Sequence, residues 1–278
     1  MKRTTPDPNH PYRIIVEDVH LWRKEATILK NVNWTVKPGE HWAVLGPNGS
    51  GKTSLIMAIS GYLPFGGGRI YLLDGWIGRI NLIEQRKKIG VVSQSLSEHI
   101  AQNVPFITPV ELVLTGLFGS LRLVDPVTEA EHAQALQILT ELGCADLAAQ
   151  PFMNLSTGER QRCMLARSKM AQNELLLLDE PCAGLDLGGR ERFLSSLRAM
   201  LQSKNCPTTI FITHHPEEIV SNISHVLLMR AGTVVAMGPK AEVMTPAFLS
   251  QTFDLALQVN ADNGRYWVQA SRPSIEEE

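Results

Sequence analysis

Runs of apolar residues, some alternating and some continuous, divide the chain into predicted elements. Residues 12–16 (Tyr12-Arg13-Ile14-Ile15-Val16) and 32–36 (Val32-Asn33-Trp34-Thr35-Val36) have the character of short strands, the second alternating between two faces. After the Pro38-Gly39 turn signal, His41-Trp42-Ala43-Val44-Leu45 reads as a short buried strand and residues 53–59 as a helix. Gly66-Gly67-Gly68 predicts a flexible turn. Residues 69–73 predict a strand ended by Asp74-Gly75, and residues 89–93 another strand with Gln94 at its end. The middle of the chain is helical in pattern. Thr108-Pro109-Val110-Glu111 has a Thr N-cap, Pro at the first helical position and Glu three residues after the cap. Thr128-Glu129-Ala130-Glu131 repeats the box, and Gly143 stands where that helix stops. Ser156-Thr157-Gly158-Glu159 opens a third helix running to about residue 172. Residues 95–171 thus read as a helical insert between strands. Residues 175–178 are four leucines with no alternation, which fits a parallel strand covered on both faces. Residues 209–213 predict a further strand, and residues 226–229 and 233–237 a hairpin around Ala231-Gly232.

Composition narrows the class. The chain has 278 residues, enough for one large domain or two small ones, and is 44% hydrophobic and 19% charged, a globular balance. Lys plus Arg is 26 and Asp plus Glu 28, so no global basic field favours direct nucleic-acid binding. The longest purely aliphatic run is residues 175–178, far short of a membrane span, and Met1-Lys2-Arg3-Thr4-Thr5-Pro6 lacks the apolar segment of a signal peptide. A cytoplasmic protein is expected, with any membrane association made through another chain. Residues 1–11 are expected to be disordered and the tail Ile275-Glu276-Glu277-Glu278 solvated. Cys144, Cys163, Cys182 and Cys206 form no C-x-x-C pair and read as reduced packing thiols.

The candidate chemistry centres on Gly46-Pro47-Asn48-Gly49-Ser50-Gly51-Lys52-Thr53, which has the phosphate-loop spacing G-x-x-x-x-G-K-[ST] between a strand and a helix. Its glycines let backbone N–H groups face a phosphate at a helix N-terminus, where the dipole favours anions. Lys52 can reach the β- and γ-phosphates and the Thr53 hydroxyl can ligate Mg²⁺. Asp179 and Glu180 end the all-leucine strand, where functional groups of parallel sheets collect. Asp179 is expected to hold Mg²⁺, and Glu180 to face the γ-phosphate and polarise a water; a solvated acidic pair is the bland alternative. His214-His215 follows a strand. Adjacent residues there are not expected to share a face, so one histidine reaching the γ-phosphate is favoured over a metal pair. Trp22 by itself reads as a packing group, with nucleobase stacking as the alternative.

In this order the motifs resemble the ATP-binding domains of ABC ATPases, over roughly residues 12–255. The resemblance implies an α/β fold: a P-loop NTPase core with a mostly parallel sheet, an N-terminal antiparallel β subdomain and an inserted α-helical subdomain (about 95–171), followed by a C-terminal extension at 256–278. It makes residues 46–53 Walker A, with Ser54 beside it, and Gln94 the Q-loop glutamine. It makes Leu155-Ser156-Thr157-Gly158-Glu159 the signature, residues 175–179 Walker B, Glu180 the catalytic glutamate, Ala183-Gly184-Leu185-Asp186 the D-loop and His214 the switch histidine. Trp22 then takes the adenine-stacking position. The implied mechanism is a head-to-tail dimer, with each ATP between Walker A of one chain and Ser156, Gly158 and Asp186 of the other. Mg²⁺ is held by Thr53, Gln94 and Asp179. The implied partners are a second nucleotide-binding domain, identical or paralogous, and separate transmembrane subunits. Asp-Glu-Pro-Cys-Ala-Gly-Leu-Asp at 179–186 and Thr-His-His-Pro-Glu-Glu at 213–218 look most like the single-domain, ModF-type branch.

Three positions depart from the family pattern. The signature carries Thr157 and Glu159 in place of glycine and glutamine. Glu159 is expected to fold back on Ser156 as a capping box, which holds its charge away from a triphosphate. His215 stands where the family commonly has Asp. The leading function is the ATPase subunit of a transporter; the alternative is a soluble ABC ATPase acting on a cytosolic macromolecule.

Overall fold

The computed structural model describes residues 11–24, 26–121, 123 and 125–271. The expectations for the first ten residues and for the tail after residue 271 lie outside it. The chain opens with strands β1 (Ile14–Arg23) and β2 (Ala26–Val36), which form a long antiparallel ribbon. They are longer than the predicted 12–16 and 32–36. The period-2 pattern is broken by a bulge between Val16 and Val19, where Asp18 is left-handed (φ 50°), so the ribbon continues past the point where alternation fails. Then follow β3 (His41–Leu45), α1 (Lys52–Ile59), β4 (Gly67–Leu72), β5 (Gly75–Trp76), α2 (Leu82–Lys87) and β6 (Ile89–Ser93).

Gly67 and Gly68 belong to β4, which corrects the predicted flexible turn. Gly68 has φ +80°, and a Cβ there would lie 2.2 Å from the Asp18 carbonyl oxygen. The glycine admits the bulged backbone of β1; it does not loosen the chain.

Four helices then run from residue 94 to residue 170: α3 (Gln94–Asn103), α4 (Pro109–Leu114), α5 (Glu129–Glu141) and α6 (Thr157–Met170). Thr108, Thr128 and Ser156 each form a complete capping box with the glutamate three residues on. The remaining elements are β7 (Leu175–Asp179), α7 (Leu187–Leu201), β8 (Thr208–Thr213), β9 (His225–Arg230), β10 (Thr233–Pro239), α8 (Lys240–Val243), α9 (Pro246–Phe253), β11 (Leu257–Asp262) and β12 (Arg265–Ala270). No described helix is long and apolar enough to cross a membrane.

The principal sheet has the order β10-β9-β3-β8-β7-β6; all its pairings are parallel except that of the edge strand β10. A second, antiparallel sheet has the order β2-β1-β4-β5. The principal sheet is buried on both faces. Leu176, Leu178 and Phe211 face a core shared with α4, α5, α6 and α7. Leu175, Leu177, Ile210 and Ile212 face a second core shared with α1 and the antiparallel sheet. The unbroken leucine run of β7 follows from this double covering. All four cysteines are free, and Cys144, Cys163 and Cys182 are buried.

Leu176 is fully buried between β7 and the helices. Leu176→Ala should lower the unfolding free energy by roughly 2–5 kcal/mol, measured by urea denaturation followed by circular dichroism; an unchanged midpoint contradicts the double-covered sheet.

Candidate nucleotide site

The site is assembled by strand register. Leu45 of β3 is level with Thr213 of β8, Asp179 of β7 with Ile212 of β8, and Ser93 of β6 with Asp179. The carboxyl ends of four parallel strands therefore stop along one edge, and the next residues of each (Gly46, Gln94, Glu180, His214) project from it. Gln94 and Glu180 line a cleft of about 560 Å³ together with Asn48, Gly49, Gly51, Lys52, Thr53, Ser54 and Asp179, and His214 stands outside that lining, against Glu180.

Lys52 is buried at the start of α1. Its Nζ donates to the carbonyl oxygens of Gly46 (2.8 Å) and Pro47 (3.0 Å), and the Glu180 carboxylate is 3.9 Å away. Burial lowers its pKa, while Glu180 and Asp179 act to raise it. The ammonium thus closes its own loop through neutral partners that a phosphate can replace. The Thr53 hydroxyl donates to Asp179 Oδ1 at 3.1 Å. Burial pushes the Asp179 carboxyl above its usual range, helped by the Glu180 charge and opposed by Thr53 and Lys52. A hydroxyl and a carboxylate oxygen so close together are hard donors that fit a magnesium ion. Ser50 Oγ is buried without a hydrogen-bond partner inside the same loop, a further polar group suited to a bound phosphate.

Glu180 is left-handed (φ 46°), a costly conformation for a residue with a side chain, while its N–H still donates to Ile212 O at 3.1 Å. The last sheet bond is kept as the side chain swings to His214, whose Nδ1 is 3.2 Å from Glu180 Oε1. The rings of His214 and His215 lie 4.1 Å apart, tilted by 41°. This corrects the expectation that the two would not share a face: β8 ends at Thr213, and strand alternation ends with it. Gln94 opens α3, donates from Nε2 to Glu98 (2.8 Å) and lies beside Gly184.

Ser156, Gly158 and Asp186 lie elsewhere. Ser156 caps α6, Gly158 is in its first turn and Asp186 caps α7, accepting from Gly189 N at 2.6 Å. They line a separate depression of about 480 Å³ with Arg162 and Arg192. The loop carrying Ala183 and Gly184 borders both hollows. Trp22 does not line the Lys52 cleft. It is half exposed, stacks with His20 at 5.7 Å and pairs with Thr27, one residue before the cleft residue Ile28.

The sequence model of the ABC transporter family matches residues 29–183. The uncharacterised ABC transporter ATP-binding protein YmeB of Lactococcus lactis is 36% identical over 92% of this chain and 97% of its own length. The chain belongs to the ABC transporter ATP-binding family. The family relative ModF of Escherichia coli is 32% identical over 78% of this chain, which spans 44% of ModF. Among solved structures, CbiO1 of Clostridium perfringens, part of the ABC transporter complex CbiONQ, superposes with a TM-score of 0.71 at 27% identity, over 87% of this chain and 94% of CbiO1.

Glu159 folds back on Ser156 as expected. Its carboxylate accepts from Ser156 N (2.8 Å) and Ser156 Oγ (2.7 Å). Burial works against the charge, but the Ser156 bonds with Arg162 and Arg192 hold the carboxyl below its ordinary range. A depressed carboxyl adds stability above its unfolded pKa and loses it as pH falls through the folded one. Glu159→Gln should therefore cost roughly 0.3–1 kcal/mol at pH 7. The difference from wild type should vanish on acidification, measured by thermal denaturation across pH, with ATPase activity staying within a fewfold. A tenfold faster Gln variant contradicts this.

Proposed function

We propose that the chain binds and hydrolyses Mg²⁺-ATP as the ATP-binding subunit of an ABC transporter. It pairs head-to-tail with a second ATP-binding domain, its own copy or a paralogue, and drives separate transmembrane subunits. The observation that carries this reading is the division of the machinery. Lys52, Thr53, Asp179 and Glu180 line one cleft, with His214 in contact with Glu180 beside it, and Ser156, Gly158 and Asp186 line a different one. Two chains, each offering the half that the other lacks, complete two sites.

The domain assignment follows from this reading: residues 12–255 form the ATP-binding domain, and the helical insert at about 95–171 offers the surface for a membrane partner. That CbiO1 is part of a transporter complex supports the transport reading over the soluble alternative. Such a subunit works at the cytoplasmic face of the membrane.

Lys52 exchanges its two carbonyl partners for phosphate oxygens, and Trp22, which pairs with Thr27 next to the cleft residue Ile28, stacks on the adenine. Thr53, Asp179 and Gln94 would hold a magnesium ion, which would supply charge neutralisation for the triphosphate. Glu180 takes the proton of the attacking water. The His214 contact holds that carboxylate in place, 3.2 Å from Nδ1 to Oε1.

Glu180→Gln should lower kcat at least about a hundredfold and retain ATP binding. With ATP present it should elute as a dimer by size-exclusion chromatography with light scattering. Expressed with an affinity tag in the native host, it should co-purify with a multi-span membrane protein. Recovery from the cytosol without one overturns the transport reading; an undiminished kcat overturns the role of Glu180.

A further inference from the structure

The loop that carries His214 and His215 is held from outside the family match. Strands β11 and β12 pair in register around Asn263-Gly264, both left-handed (φ 48° and 75°), in a two-residue turn. The tip of this hairpin rests on the chain that follows β8. Buried Lys240 donates from Nζ to the carbonyl oxygens of Val220, Ser221 and Gly264, each at 3.0 Å. A Cβ on Gly264 would lie 3.0 Å from Ser221 Cβ.

Arg265, the next residue, spans two elements. Its Nη1 and Nη2 donate to Glu191 Oε2 (2.8 Å) and Oε1 (2.9 Å) on α7, a bidentate pair. Its Nη2 (2.7 Å) and Nε (3.2 Å) also donate to the Glu217 carbonyl oxygen. Glu217 sits in the turn Pro216–Glu218, and its carboxylate is 3.4 Å from His215 Nδ1 and 3.6 Å from Arg190 Nη1. His215 packs on His214, and His214 meets Glu180. The contacts are unbroken from the hairpin to the carboxylate at the end of β7.

We propose that Arg265 is a positioning residue for the His214–Glu180 pair: by tying the Glu217 carbonyl to α7, it sets where the turn, His215 and His214 stand. The C-terminal hairpin is then a brace for the hydrolytic step. His215 transmits the position as a ring packed between His214 and Glu217. The inference rests on the reading of Glu180 and His214 as the hydrolytic pair. A planar, partly buried fork bonded to two acceptors holds a loop more rigidly than a flexible ammonium can. Displacing a catalytic group by about 1 Å can cost about a hundredfold in rate.

The test compares five purified full-length proteins: wild type, Glu180→Gln, Arg265→Ala, Arg265→Lys and Val268→Ala. Each is assayed for kcat and KM in steady-state ATP hydrolysis, for affinity with a fluorescent ATP analogue, and for melting temperature. Val268 packs the same hairpin onto the core through an aliphatic side chain with no hydrogen bond to offer Glu217 or Glu191, so its truncation reports general loosening. Arg265→Ala should lower kcat about tenfold with nucleotide affinity within twofold of wild type. Arg265→Lys, with one ammonium in place of the fork, should fold like wild type and still lose at least threefold in kcat. Val268→Ala should keep its kcat.

A wild-type kcat in both Arg265 variants overturns the proposal. So does an equal loss in Val268→Ala, which makes the effect one of stability alone. If Arg265→Ala does not fold, the Lys variant decides by the same criterion. Wild-type hydrolysis in Glu180→Gln overturns the functional reading and the proposal together. Loss in Glu180→Gln without loss in the Arg265 variants overturns the proposal alone.

Discussion

The site depends on parallel pairing of strands that are covered on both faces. β3 is held between β8 and β9, and β7 between β8 and β6, with registers that end on one edge. Each strand gives up apolar side chains to two cores at once, so none can slip by a residue without moving its whole set to the wrong side. That register places the ammonium of Lys52, the hydroxyl of Thr53, two carboxylates and an imidazole within reach of one another, although they are far apart in the chain. Loops alone would not hold such a group to the precision that phosphoryl transfer needs.

The electrostatics are those of a site with room for a polyanion. Lys52 is buried but bonded to neutral carbonyls, and Asp179 is pushed towards its neutral form by burial and by Glu180 beside it. Uncompensated charge of both signs is expensive in a protein interior, and it is stored here next to an open cleft. The second depression is different. Its carboxylates are engaged with helix ends, Glu159 with Ser156 and Asp186 with Gly189. Acidic groups there are bound to backbone donors, and Arg162 and Arg192 supply the positive charge lining the hollow.

Much of this was legible in residue order. The phosphate-loop spacing, three capping boxes and an all-leucine strand each report a local physical requirement: backbone donors for an anion, partners for free helix N–H groups, burial on two faces. The sequence reading missed features whose cause is not local. The β1–β2 ribbon was cut short because a bulge interrupts alternation. Gly67 and Gly68 were taken for a turn because the backbone they accommodate, at Asp18, is about fifty residues away in sequence. The C-terminal hairpin carried a readable signal, Asn263-Gly264 between β-forming residues, but nothing in the sequence tied Arg265 to Glu191 and Glu217.

The sequence by itself determined the family, the kinds of group in the site and the local caps and turns, because these depend on residue type at short spacing. Tertiary structure alone decided which of those groups meet. Register brought Thr53 to Asp179 and Glu180 to His214, while Ser156, Gly158 and Asp186 were set around a separate hollow. The end of β8 turned His215 onto His214, and the docking of a hairpin placed Arg265 behind them. Contacts of that kind arise from packing between distant segments, whose free energy is shared across the whole core and written in no single stretch of the chain.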